Sequence, residues 1–288
     1  MMNEMKIDVV LLTKNSVSRN APGVFEESLE SIMRNVPVNQ LIVVDGFSKD
    51  GTLDLIHQFF SNVKVIRTRA LRGKAREIGI KHVKTSHFMF VDDDVILCKD
   101  WFNKAFQYFN NSSVGAVWGA DIPWSPRLEK DTILTCDNMR THLAELMISN
   151  FKIRGGTHDI LIRTDIVKDM KIPRGLHLFE DNYIKQYIEN KGFKVIATSD
   201  PYCIHKRKCE ADQWDIDTGV QMAYLRMKYG RQRKTFYYMA KNFLRSFPKT
   251  FLIWRLSKDY IPANKQLLMY YYMFLGYLKA RFGLNLKR

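Results

Sequence analysis

Short apolar runs alternate with stretches of helical spacing through the first hundred residues. The pattern predicts strands at Lys6–Leu12, Leu41–Val44, Val63–Arg67 and His87–Val91, with helices at Phe25–Arg34, Thr52–Phe60 and Lys74–Val83 between them. Continuous apolar runs separated by helices read as parallel strands buried on both faces of a sheet. Beyond residue 100 the pattern is more mixed. Trp101–Phe109 reads as a helix, Val114–Gly119 as a strand, Asp121–Arg127 as a loop and Thr132–Asn150 as a helix. Asp159–Ile162 reads as a strand. Glu180–Asn190 has helical spacing, with Tyr183, Ile184, Tyr187 and Ile188 on one face and Gly192 placed to stop it. Lys194–Ala197 and Tyr202–Ile204 read as short strands and Gln213–Lys228 as a helix. There is no internal repeat and no low-complexity linker.

Ligands of open parallel sheets bind beyond the carboxyl ends of the strands. In this chain those ends carry Thr13, Lys14 and Asn15, then Asp45, then Asp92, Asp93 and Asp94. Independent strands thus deliver polar groups to one edge. Crowded carboxylates repel each other and need a countercharge. A hard divalent cation carrying a substrate's phosphates supplies one; the alternative is a solvated acidic turn.

The residues at these positions resemble a known family. Val43-Val44-Asp45-Gly46-Phe47-Ser48-Lys49-Asp50-Gly51-Thr52 is similar to the Val-Val-Asp-Asp-Gly-Ser-x-Asp-Gly-Thr signature of family 2 glycosyltransferases. Arg72-Gly73-Lys74-Ala75-Arg76-Glu77, with Gly79, resembles their Gly-x-Ala-Arg-Asn-x-Gly segment. Phe90-Val91-Asp92-Asp93-Asp94 resembles their Asp-x-Asp motif, Glu180-Asp181 their Glu-Asp motif, and His205 a histidine after the last core strands. The resemblance covers roughly residues 5–230.

It implies an α/β GT-A fold, a Rossmann-like mixed sheet flanked by helices, and inverting transfer from a nucleotide-sugar donor with Mn2+ or Mg2+. Asp94 is then a metal ligand, Asp92 binds the ribose or a metal-bound water, and His205 completes the metal shell. Asp45 accepts from the nucleobase, Thr13 and Asn15 line the same pocket, and Asp93 belongs to the donor site. Arg72 and Arg76 neutralise phosphates. Asp181 is the general base, and one carboxylate beside the attacking hydroxyl suffices for that. Glu180 orients its loop or bonds the acceptor, and Gly155-Gly156, before Thr157 and His158, forms an acceptor-side loop. Trp118 and Trp124 are candidates for stacking on a sugar, with burial the other reading of Trp118. The chain departs from the family pattern at Leu12, Gly46 and Phe47, which leaves the nucleotide open. Gln213-Trp214 is not the Gln-x-x-Arg-Trp motif of processive synthases, so one transfer per acceptor is expected.

Charge divides the 288 residues unevenly. Residues 231–288 hold 13 Lys or Arg against one acid, Asp259, a net +12. The first 230 hold 32 basic and 29 acidic residues, a net +3. We therefore expect a catalytic domain over 1–230 and a helical, basic and aromatic appendage over 231–288, cut into about three helices by Pro248 and Pro262. Basic charge interleaved with Tyr, Trp and Phe fits helices lying on an anionic membrane surface. A lipid-linked or glycan acceptor follows naturally. Packing of the appendage on the body is the other reading. The chain starts without a signal-peptide core, and no apolar run reaches the roughly 18–20 residues of a spanning helix. Four cysteines without a Cys-x-x-Cys pair fit reduced thiols. A zinc site on Cys203, His205 and Cys209 would lack a visible fourth ligand. The expected location is cytoplasmic, peripheral at the inner face of the cell membrane. Two rival classes stand beside this one. A nucleic-acid-binding protein would use the +12 tail, but the strand-end acids repel phosphate, so no nucleic acid is expected. A nucleotidyltransferase acting on sugar phosphates would need a basic, glycine-rich loop where Ser16–Gly23 offers only Arg19 and Gly23.

Overall fold

The computed structural model describes residues 5–123, 148, 151, 155–174, 176–206, 236–257 and 260–282. It divides into two compact units, Met1–Pro123 with Ala144–Arg207, and Trp124–Leu143 with Lys208–Arg288.

The first unit is built on β1 (Ile7–Thr13), α1 (Ser16–Arg19), α2 (Val24–Asn35), β2 (Val38–Asp45), α3 (Thr52–Phe59), β3 (Val63–Arg67), α4 (Arg72–His82), β4 (His87–Val91), β5 (Val95–Leu97) and α5 (Trp101–Phe106). It continues with β6 (Val114–Pro123), β7 (Asp159–Arg163), α6 (Thr164–Val167), α7 (Glu180–Asn190) and β8 (Lys194–His205). The eight strands form one sheet in the order β3-β2-β1-β4-β7-β6-β8-β5. The first four pair in parallel, as the apolar runs predicted.

Alternate strand residues feed two layers. Ile7, Val9 and Leu11, with Leu41, Val43, Met89 and Val91, join one buried cluster with Phe25, Leu29 and Ile32 of α2, Ile56 of α3, and Trp101 and Phe102 of α5. Val10 and Val44 point to the opposite face, where α4 packs so closely that a Cβ on Gly79 would stand 2.4 Å from Val10. Fully apolar strands are thus required on both sides.

β7 is antiparallel to β4 and β6, which places its start beside the end of β4. Val91 faces Asp159, and Asp92 N–H donates to the His158 carbonyl at 3.0 Å. β6 and β8 pair in parallel and carry Asp121 and His205 to the same region.

Several expectations change. The helix expected to Phe109 ends at Phe106 and passes into a 3-10 turn, Gln107–Asn110. Asp121 to Pro123, read as loop, continue β6, because Ala120 and Ile122 alternate into the core and pair with β8. The two short strands near residue 200 are one, β8. Gly119 pairs with Thr198 and Ala120 with Tyr202, so Ser199, Asp200 and Pro201 form a bulge. The helices expected at Thr132–Asn150 (apart from Ile148, which is helical) and Gln213–Lys228, like Trp124 and Cys209, lie outside the described residues.

In the second unit the described residues form two helices, α8 (Phe236–Ser257) and α9 (Tyr260–Phe282), where three were expected. Pro248 lies inside α8 without ending it. Pro262 sits in the first turn of α9, where a helix has no use for its N–H. Phe243 stacks on Phe274 with ring centroids 5.6 Å apart, joining the two helices. Among the described residues no helix is long and apolar enough to cross a membrane.

Candidate active site at the carboxyl ends of the strands

Thr13 ends β1 and Asp45 ends β2, and the two pair directly in the sheet register. Thr13 Oγ1 donates to Asp45 Oδ1 at 3.0 Å, and Ser48 donates to the same carboxylate through its N–H at 3.0 Å and its hydroxyl at 2.5 Å. Asn15, at φ 51°, sends its N–H to Ser48 Oγ at 2.8 Å and accepts from Lys49 N–H at 3.0 Å. Thr13, Asn15 and Asp45 are therefore knitted into one rim through Ser48. Phe47 holds the left-handed conformation, φ 64°, at a position where the family signature has glycine, and Arg69 lies 5.4 Å over its exposed ring.

The three aspartates part company. Asp93 is buried against Ser16 and Arg19, away from its neighbours' partners, and its backbone carbonyl accepts from Asn20 at 3.0 Å. Burial pushes its carboxyl up to about 6, against the pull of Arg19. It ties the segment after β1 to the end of β4. Asp92 and Asp94 turn toward His205, and one ligand atom from each of the three lies within 4.8 Å of the others. His205 Nε2 stands 2.9 Å from Asp94 Oδ1. Two carboxylates and an imidazole, with no sulfur, fit Mn2+ or Mg2+ by donor chemistry.

α4 supplies the balancing cations. Arg76 is 3% exposed at its side chain, with Nη2 3.1 Å from Asp92 Oδ1 and Nε 3.5 Å from Glu180 Oε1. Burial works to raise the Asp92 carboxyl, but Arg76 first, then His158, His205 and Arg72, together outweigh burial and hold the group well below the usual carboxylate range. Arg76 Nη1 is buried with no hydrogen-bond acceptor among the described residues. Arg72 lies 3.8 Å from Glu180, and Glu180 with Asp92, Asp181 and Asp94 keeps its guanidinium firmly charged.

Glu180 and Asp181 begin α7, entered through Phe179 at φ 74°. Glu180, expected on the acceptor side, is buried and faces the two arginines. Burial raises its carboxyl against the pull of Arg72. Asp181 is only partly buried and its Oδ1 caps Asn182 N–H at 2.7 Å. The Gly155-Gly156 loop lies directly on these elements. A Cβ on Gly155, at φ 73°, would meet the Asp181 backbone at 2.9 Å, and one on Gly156 would meet the Trp118 indole at 2.3 Å. Glycine is needed at both. Trp118 is buried, stacked on Phe151 with centroids 4.3 Å apart.

Sequence reasoning missed Asp121, Asp159 and Trp101. Asp121 lies 3.4 Å from His205 Nδ1 through Oδ1 and 3.7 Å from His158 Nε2 through Oδ2. His158 Nδ1 stands 2.8 Å from Asp159 Oδ1, while Trp101 Nε1 donates to Asp159 Oδ2 at 3.0 Å. The period-2 pattern of Ala120, Asp121 and Ile122 was the available signal.

The family model described as glycosyl transferase family 2 matches residues 8–136. No curated protein sequence matches the chain. Among solved structures, the mannosyltransferase PcManGT from Pyrobaculum calidifontis, in complex with GDP-Man and Mn2+, has a TM-score of 0.61 at 15% identity, covering 97% of this chain and 88% of its own. S. aureus TarS 1-349 in complex with UDP-GlcNAc has a TM-score of 0.55 at 16% identity, covering 98% and 93%. Glucosyl-3-phosphoglycerate synthase from Mycobacterium tuberculosis, in complex with Mn2+, UDP and glucosyl-3-phosphoglycerate, has a TM-score of 0.54 at 16% identity, covering 79% and 81%. These likenesses establish the GT-A fold, and residues 8–136 are similar to the glycosyl transferase family 2 model.

Proposed function

We propose that the chain moves a single sugar, with inversion, from a nucleotide-sugar to a lipid-linked or glycan acceptor, using Mn2+ or Mg2+ held by Asp92, Asp94 and His205. The observation that carries this reading is the convergence of those three groups beside a buried Arg76. Solved relatives in complex with GDP-Man and Mn2+, or with UDP and Mn2+, support it. When bound, the ion neutralises charge on the leaving nucleoside diphosphate as a Lewis acid.

The chain's own groups do the rest. Thr13, Asn15 and Asp45 line the nucleoside end of the pocket. Arg72, more than half exposed, meets phosphate oxygens, and Arg76, buried behind it against Asp92 and Glu180, adds its charge. Glu180 keeps both arginines in place. Asp181, at the more open start of α7, takes the proton from the acceptor hydroxyl as its oxygen bonds to the anomeric carbon and the bond to phosphate breaks. The Gly155-Gly156 backbone, fixed against Asp181, forms the acceptor side.

The test is a panel of nucleotide-sugars with Mn2+, read as nucleoside diphosphate released in step with glycosylated acceptor. Pyrophosphate released from a nucleoside triphosphate and a sugar phosphate, with no glycosyl transfer, would contradict the reading.

The helical unit is the proposed membrane contact. Tyr237, Leu244, Phe247, Phe251 and Trp254 are all exposed and recur at helical spacing, so they form one stripe along α8. Arg245 and Arg255 are exposed on the same helix. An aromatic stripe with basic flanks suits the headgroup boundary of an anionic leaflet at the inner face of the cell membrane. The full chain is expected to float with vesicles containing phosphatidylglycerol and to lose that binding in Phe251→Glu with Trp254→Glu. Flotation unchanged in the double variant would remove this part of the proposal.

A further inference from the structure

His205 sits between two carboxylates. Its Nε2 lies 2.9 Å from Asp94 Oδ1 and its Nδ1 lies 3.4 Å from Asp121 Oδ1. If His205 ligates a cation beside Asp94, Nε2 has to present a lone pair, and the single proton of the neutral ring then belongs on Nδ1. A proton there needs an acceptor. His205 Nδ1 and Asp121 Oδ1 are both closed off from solvent, so water is not at hand. An ionised carboxylate can only accept, which suits Asp121 to this proton.

Asp121 is itself held. It projects from the end of β6, where its register partner on β8 is Cys203, two residues before His205. Its second oxygen faces His158 Nε2 at 3.7 Å, and the two imidazole centroids are 5.3 Å apart. His158 is anchored on both nitrogens: Nδ1 lies against Asp159 at 2.8 Å and Nε2 accepts from Trp118 Nε1 at 3.3 Å. Asp159 is fixed in turn by Trp101. A buried chain of groups therefore backs Asp121 from the far side.

We propose that Asp121 is a positioning residue that fixes His205 in its metal-ligating tautomer and orientation. This rests on the reading of Asp92, Asp94 and His205 as the metal site. Ligand atoms of Asp121, His158 and His205 also lie within 4.8 Å of one another, so Asp121 as a direct ligand is the rival role. The Trp118 N–H occupying His158 Nε2 argues against it.

The test uses the full chain and Mn2+ alone, with bound metal read from loss of the free-ion electron paramagnetic resonance signal. Asp121→Ala is expected to raise the Mn2+ Kd about 10–100-fold, the usual range for an outer-shell partner. Asp121→Asn, whose amide oxygen still accepts, is expected to recover part of the loss, and it carries the test if the alanine variant does not fold. In a His205→Ala background, Asp121→Ala is expected to add nothing. An unchanged Kd would overturn the inference, and so would an equal further loss without His205, which would make Asp121 a ligand or a simple charge. Absence of Mn2+ binding by the unaltered chain would instead overturn the metal site, and this inference with it.

Discussion

Asp94→Ala is expected to lower transfer about a thousandfold or more, roughly 4 kcal/mol of transition-state stabilisation, with little effect on folding. The side chain is 18% exposed, just beyond the end of β4, with Oδ1 2.9 Å from His205 Nε2. Truncation opens no apolar cavity, so the thermal midpoint is expected to stay close to that of the unaltered chain. What goes is one of the two carboxylates proposed to hold the metal with His205. Charge then builds on the leaving diphosphate with only Arg72 and Arg76 to meet it. The comparison to make is kcat/KM with saturating Mn2+ beside the thermal midpoint of each protein. Near-normal transfer by a folded variant would place the site elsewhere, while collapse of the fold would assign Asp94 a structural role.

Asp181→Asn is the second large effect. Removing a general base from a reaction that needs one costs about 10²–10⁴ in rate. Donor affinity is expected to stay within about twofold, because, of the groups proposed for the nucleotide and phosphates, Asp181 acts on Arg72 through its charge, and less than Glu180 and Asp92 do. Asparagine is nearly isosteric and still accepts from Asn182 N–H, so α7 keeps its start. The only structural penalty is loss of a carboxylate near a helix N-terminus, about 0.3–1 kcal/mol. Glu180 cannot substitute, since it is buried against Arg76 and Arg72. Calorimetric donor binding set beside single-turnover transfer separates the possibilities. Equal loss of both, or full activity, would sink the role of Asp181.

Much of the fold was legible because burial on both faces leaves a plain mark. β1, β2 and β4 are nearly continuous apolar runs, and each stops where a polar residue reaches the sheet edge, Thr13, Asp45 and Asp92. The second half was harder to read. Asp121 looked like the start of a loop because Pro123 follows it, yet Pro123 is the last residue of β6, where a missing N–H costs little. Ser199 to Pro201 looked like a break between strands and is a bulge within one. Tertiary pairing decided both.

The site shows the same limit. Asp92, Asp93 and Asp94 are alike in sequence, but the backbone sends Asp93 toward Ser16 and Arg19 and the other two toward His205. Glu180 and Asp181 are adjacent, yet the first turn of α7 buries one and leaves the other partly open. Asp121, Asp159 and Trp101 carry no motif. Their part became visible only when antiparallel β7 brought His158 between them.

The most direct test of the central claim is anomalous diffraction from crystals of the full chain grown with Mn2+ and a nucleoside diphosphate. The account predicts a manganese peak within ligating distance of Asp94 and His205, with the diphosphate lying toward Arg72 and Arg76. A bound nucleotide with manganese away from those two residues, or with no manganese at all, would contradict it.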